Sequence, residues 1–245
     1  MSVCYPTDIR VEATLMSHEM IAKKFKLDDI LYSRQLEYNE DKFNVRLLQL
    51  FDRAIHEHNK LNHHPVLDVN EGKFNTVTGK IMDIRNPDYQ KICIDDIAIG
   101  LSNNNRFAGQ TNEPYSIAQH CVLVAHLAPL GIKLEALMHD ASEAYIHDIQ
   151  KPLKIIISET YEPIEQSWMK AIFQKFQLDY NALSSIKPFD LDILQIEFDY
   201  LKGYNQKPFL ELMESAGFDT HTPVWNWIEA REIFYATFQG LTSMR

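Results

Sequence analysis

The chain has 245 residues, 45% of them hydrophobic, and a formal net charge of −10. That hydrophobic share supplies a buried core for one large domain or a domain with an appendage, while the acidity argues against stable nucleic-acid binding, which needs Lys and Arg to neutralise phosphates. Cys4, Cys93 and Cys121 lack CxxC spacing and indicate neither a disulfide framework nor a cysteine zinc site, and no window reaches the roughly 20 apolar residues of a membrane span.

The first residues, MSVCYPTDIRVEATLMSHEM, show no basic stretch followed by an apolar core, so the expectation is a cytoplasmic protein with reduced thiols and no membrane partner. Apolar residues at Phe43, Val45, Leu47, Leu48, Leu50, Phe51 and Ala54 recur at a spacing closer to 3.6 than to 2, which predicts an amphipathic helix over residues 39–61. His56, His58, His63 and His64 lack an i, i+4 ligand pair with a supporting acid and read as an accidental polar cluster. Pro65, Gly72 and Gly79 then mark a loop or short hairpin, and a soft boundary is placed near residue 75. It separates a partly helical extension, residues 1–75, from a domain over 76–245. From Ile94 onward the chain reads as successive helices punctuated by NNNRFAGQTNEP, PLG, QKP and GYNQKP, so the predicted class is all-α. Trp225 and Trp227 are expected to anchor the last helix on the core.

The run KLEALMHDASEAYIHDIQKPLK carries the strongest chemical signal. Leu134, Leu137, Met138, Ala141 and Tyr145 form a core-facing stripe on a predicted continuous helix, with His139, Asp140 and Glu143 along the adjacent stripe. Neighbouring residues on a helix point about 100° apart, so His139 and Asp140 can share one ion only if other ligands complete the shell. His120, in YSIAQHC, and Asp190, in FDLDILQIEFDYL, supply them from two further helical stretches. Two imidazoles and two carboxylates suit a borderline divalent metal, Mn, Co, Ni, Fe or Zn, and Mg is a further candidate.

The ordered series DIAIGLS, RFAGQT, YSIAQH, HDASEAYIHDI, PLK and D-x6-E resembles the HD-domain phosphohydrolases, and is similar to bacterial 5′-deoxynucleotidases and small phage-type HD hydrolases over residues 76–245. The resemblance implies an HD-domain helical bundle with His120, His139, Asp140 and Asp190 as metal ligands. It gives Glu143 a proton-transfer role, and makes Asp148 a contact to the substrate sugar or to water. It puts Arg106, fourteen residues ahead of His120, on phosphate oxygens, with Phe107 stacking on sugar or base. Asp190 is preferred to Asp192 and Asp199 because Glu197 follows it at the family spacing. Lys151 and Lys154 would add positive charge. One departure stands out: His147 occupies a position where the family usually has a small residue, often Gly. His126 lies about 240° around a helix from His120, so a mononuclear site is expected.

The expected activity is metal-dependent hydrolysis of a small-molecule (deoxy)nucleotide, as a 5′-nucleotidase on dNMPs or a triphosphohydrolase on dNTPs. A cyclic-nucleotide or oligonucleotide phosphodiesterase, and a non-catalytic nucleotide sensor, are the alternatives. Neither a Walker A loop nor a GxGxxG turn is present. Oligomeric state is left open, a homo-oligomer included.

Overall fold

Residues 72–245 are described by a computed structural model, and their regular structure is all-α apart from one short hairpin. They belong to a compact unit that begins at Asp68. The helix expected over residues 39–61 and the patch of His56, His58, His63 and His64 lie outside the described residues, as does the rest of the extension up to residue 71.

Strand β1 (Lys73–Asn75) pairs antiparallel with β2 (Ile81–Asp83), Phe74 opposite Met82, so the boundary placed near residue 75 falls inside a hairpin. The hairpin is built into the unit. Phe74 packs on Tyr145 and Trp168, and the Trp168 indole N–H donates to the Ile84 carbonyl at 2.9 Å. At its tip the Thr78 N–H and hydroxyl both donate to the buried Asp96 carboxylate, at 2.9 and 2.8 Å, which ties the hairpin to the first turn of α1 (Ile94–Asn103).

Two extended residues, Asn104 and Asn105, lead from α1 into a tight turn, Arg106–Gly109, in which Phe107, Ala108 and Gly109 all have positive φ. The turn is held by Arg106 N–H to the Tyr115 carbonyl (2.8 Å) and Ile117 N–H to the Asn104 carbonyl (3.0 Å). Helix α2 (Ile117–Leu127) starts behind Ser116, whose hydroxyl accepts the Gln119 N–H as an N-cap. Every residue from Ile117 to Ala125 is buried, because α2 packs against α1, α7 (Ala182–Leu201), α9 (Trp227–Ser243) and α3 (Lys133–Leu137). Helices α4 (Glu143–Ile146), α5 (Lys151–Ile156), α6 (Ser158–Phe176) and α8 (Lys207–Ser215) complete the described residues.

Helix α4 lies so close to α1 that a Cβ on Gly100 would stand 2.6 Å from the Ala144 carbonyl oxygen. Only glycine permits that approach, which sets Glu143 against the start of the Arg106 turn. Of the two tryptophans expected to anchor the last helix, Trp225 is buried, whereas Trp227 is 49% exposed. Trp225 precedes the helix and packs on Phe218, while Trp227 is the first residue of α9 and faces outward with Arg231 over its ring. No helix among the described residues is long and apolar enough to cross a membrane.

Candidate metal centre

The predicted continuous helix through His139 and Asp140 is interrupted: both residues sit in a chain of turns between α3 and α4. His139 itself is the reason. Its Nδ1–H donates to the Ala136 carbonyl at 2.8 Å, taking the acceptor that the Asp140 N–H would use in a continued α-helix. The backbone turns onward with i→i−3 bonds, Ala141 to Met138 and Glu143 to Asp140. The apolar stripe persists across the break, since Leu134, Leu137, Met138, Ala141 and Tyr145 are all buried. It seats the turn on the core while His139 and Asp140 face inward to the neighbouring helices.

Opposite stands α7. Ile186, Asp190, Ile193, Glu197 and Leu201 recur every three or four residues and form its inward stripe, in which apolar residues alternate with two acids. Asp190 and Glu197 grip the same fully buried imidazole from its two sides. His120 Nε2 lies 3.2 Å from Asp190 Oδ1, and His120 Nδ1 lies 2.9 Å from Glu197 Oε1, which also accepts the Tyr115 hydroxyl at 2.8 Å. The other two acids of the helix stand apart from the centre. Asp192 is exposed, and Asp199 takes the Gln195 amide on its carboxylate and the Tyr204 N–H on its carbonyl at the helix end.

Four donor atoms therefore converge. His120 Nε2 is 3.3 Å from His139 Nε2 and 3.7 Å from Asp140 Oδ2, and His139 Nε2 is 3.3 Å from Asp140 Oδ2 and 3.8 Å from Asp190 Oδ1. The tautomers follow from the partners. His139 Nδ1 donates to the Ala136 carbonyl, which can only accept; His120 meets a carboxylate on each nitrogen, and with its proton held on Nδ1 by Glu197 it would turn the Nε2 lone pair to a metal. Atoms of two imidazoles and two carboxylates, the types that ligate a divalent metal, thus face one another, while Lys187 pairs with the outer oxygen of Asp190 and Arg106 lies beside Asp140. Donors bound at roughly 2.0–2.2 Å lie roughly 3.0–3.5 Å from one another, a range that holds three of these spacings, while the cross pairs His120–Asp140 and His139–Asp190, at 3.7 and 3.8 Å, are wider. Cys121 forms an overlapping group with His139 and Asp140, donor atoms within 4.8 Å, but burial pushes its thiol up to about 11.

Charge around the centre is organised by burial and by these contacts. Desolvation would raise Asp140 and Asp190, but His139 and His120 outweigh it, with Arg106 adding to the effect at Asp140, and hold both carboxyls below the usual range. Burial would lower His139, yet Asp140 and Asp190 raise it well above an ordinary imidazole. Arg106 is buried and firmly cationic: desolvation opposes its charge, and Glu197, Asp140 and Glu143 overcome that. Its Nη1 lies 3.6 Å from Asp140 Oδ2, and its Nε faces Glu197 Oε2 at 3.1 Å without hydrogen-bond alignment. Glu143 is pushed well up by desolvation and then by Asp140 and Asp148. Asp148 is raised by desolvation, against Arg106.

The residues singled out in the sequence do not all meet. His120, His139, Asp140, Asp190, Arg106, Glu143 and Asp148 form one interacting set. Phe107 packs edge-on against Phe198 with the Arg106 guanidinium 5.5 Å above its ring. Lys154 is paired with Glu165 in a groove of about 260 Å³ that runs from His139, Asp140 and Asp190 over Met169 and Ile186. Lys151 is exposed, and its side chain meets no partner among the described residues. Glu197 and Tyr115 carry more of the site than the sequence suggested: the signal was there for Glu197, as an acid two helical turns beyond Asp190, and none marked Tyr115. His126 is remote, 3.4 Å from Ser215 Oγ.

His147, where the resemblance leads one to expect a small residue, has φ 64° and ψ 157°, a region occupied almost only by glycine. The strained turn is held by its ring, whose Nδ1 lies 2.6 Å from Asn104 Oδ1, and by the Tyr161 hydroxyl, which donates to its carbonyl at 3.1 Å.

No family model matches the chain. It is 40% identical over 122 residues to the uncharacterized protein YfdR of Escherichia coli (strain K12), covering 50% of this chain and 68% of that protein. It is 31% identical over 143 residues to the uncharacterized protein RCAP_rcc00048 of Rhodobacter capsulatus, covering 53% of this chain and 73% of the relative.

Proposed function

This chain belongs to the family of YfdR and RCAP_rcc00048, and we propose that it is a metal-dependent phosphohydrolase acting on (deoxy)nucleotides. One observation carries the reading: the Nε2 atoms of His120 and His139 oppose each other at 3.3 Å beside two carboxylates, with a buried guanidinium 3.6 Å from one of them. The nucleotide class comes from the resemblance of the motif series to the HD-domain phosphohydrolases.

His120, His139, Asp140 and Asp190 would hold one divalent transition metal, Mn, Co, Ni, Fe or Zn, or Mg. When bound, such an ion polarises a phosphoryl oxygen and lowers the pKa of coordinated water. The chain supplies the rest. Glu197 and the Ala136 carbonyl fix the two imidazole tautomers. Arg106, kept charged by Glu197 and Asp140, offers its outer N–H groups to phosphate oxygens. Glu143, its carboxyl raised by burial and by Asp140 and Asp148, is the group that would deliver a proton to the leaving 5′ oxygen. Asp148 stands next to it, interacting with Arg106 and Lys154, as a contact for sugar or water. Products would be the nucleoside with phosphate from a dNMP, or with triphosphate from a dNTP.

The test is release of phosphate, pyrophosphate or triphosphate from ribo- and deoxynucleoside mono- and triphosphates with Mn, Co or Mg. Asp140→Ala serves as the blank. Turnover that needs the metal and disappears in the variant supports the reading. Metal binding with no turnover across the panel overturns it.

A further inference from the structure

The extended segment that delivers Arg106 has a second face. Asn104 donates its amide to the Glu143 carbonyl at 2.9 Å and Arg106 reaches Asp140 and Glu197, so the even-numbered residues serve the metal centre. Asn103 and Asn105 line a separate groove of about 410 Å³, a size within the usual range of small-molecule pockets. Asn105 and Ser116 form an isolated antiparallel bridge, and such paired residues present their side chains on the same side. Both line the groove. Trp225, Asn226, Trp227 and Glu113 line it as well.

The lining specifies what it can hold. It contains no lysine or arginine. Arg231, which sits over the Trp227 ring, is already bonded to Glu232 at 2.6 Å. A phosphate would find Glu113 and no cation. The Asn103 and Asn105 amides make no side-chain hydrogen bond among the described residues, and Asn226 spends only its oxygen, on capping α9. The half-exposed Trp227 indole and three amides with unused donors suit an uncharged planar heterocycle with a hydrogen-bonding edge.

We infer that this groove is a second binding site, for a nucleoside without its phosphates, on the reverse side of the segment that positions Arg106. The choice of nucleoside rests on the hydrolase reading, since both forms of that reaction release one, whereas the lining chemistry stands without it. Occupancy is felt at the metal centre by two routes. One is the Asn103–Arg106 segment itself. The other is Gln119, which accepts the Trp225 N–H at 2.9 Å, donates to the Pro223 carbonyl at 2.6 Å, and directly precedes His120.

The experiment is isothermal titration of 2′-deoxyadenosine into the full chain, as wild type, Asp140→Ala, Trp227→Ala and Asn105→Ala. Trp227 and Asn105 are both exposed, so neither variant removes core packing. Saturable binding that survives Asp140→Ala and weakens at least tenfold in Trp227→Ala and Asn105→Ala is the expected result. No saturable heat, or binding lost in Asp140→Ala and intact in the two groove variants, overturns the site. Added deoxyadenosine should also change the KM for nucleotide in wild type and leave it unchanged in Trp227→Ala, and an unaltered wild-type KM removes the coupling. Groove binding by a protein that hydrolyses no nucleotide would sink the hydrolase reading and leave the site standing.

Discussion

Glu197 holds His120 from behind, Oε1 to Nδ1 at 2.9 Å, and so decides which ring nitrogen faces the centre. Both residues are fully buried, and Glu197 also meets Tyr115 and Arg106. Replacing Glu197 with Gln removes the acceptor charge from the ring and from the guanidinium together. Metal affinity should fall about 10–100-fold, the usual effect of losing such a supporting partner. Competition with a chelator measures it, and unchanged affinity would mean that His120 is not a ligand.

Glu143→Gln separates proton transfer from binding. The side chain contributes its raised carboxyl to no metal donor contact, so metal affinity should hold while kcat drops by about 10²–10⁴-fold. The alkaline limb of the pH profile should go with it, because in the wild type the proton on Glu143 is lost as pH rises through its raised value. A variant with the wild-type profile would remove Glu143 from the chemistry.

The metal-free protein has a pH dependence with two opposite signs. His139 is raised, so its contribution is full below about 6.5 and is lost as pH rises through its folded value. Asp140, Asp190 and Glu197 are lowered, so theirs is present above about 4 and is lost as pH falls through their folded values. A ligand imidazole must shed its proton to bind a metal. The metal-induced gain in Tm should therefore grow with pH up to the raised His139 value and then level off. Thermal melts with and without Mn across roughly pH 5–9 would show it, and a gain independent of pH would contradict the ligand assignment.

Two backbone positions test the frame around the site. Gly100→Ala forces a methyl into the Ala144 carbonyl and should cost about 1–3 kcal/mol by chemical denaturation. His147→Gly removes a side-chain bond but occupies the same φ without strain, so stability should stay within about 1 kcal/mol of wild type. A loss larger than that of Gly100→Ala would show that the His147–Asn104 bond, rather than the neighbouring turn, holds the segment.

Much of this was legible in the sequence because periodicity and chemistry coincided. The stripe from Leu134 to Tyr145 marked the buried face, and the family spacing of Asp190 and Glu197 picked out two residues that lie on the inward stripe of α7. What the pattern could not show was the break at His139, since the helix signal is continuous and the competing bond from the ring to Ala136 is a tertiary outcome of where the imidazole must point. The outward turn of Trp227 was hidden for a similar reason. An aromatic in a helix start reads as core, and its neighbour Trp225 took that place. The groove behind Arg106 depends on two segments more than a hundred residues apart meeting, which no local signal records.

The most direct measurement is turnover of a deoxynucleotide panel by metal-stripped protein as Mn or Co is added back in known amounts per chain. The account predicts no activity at the start and a rise that saturates at one ion per chain, with Asp140→Ala inactive throughout. Turnover without the ion, or full occupancy of the four-donor centre with every nucleotide intact, would contradict it.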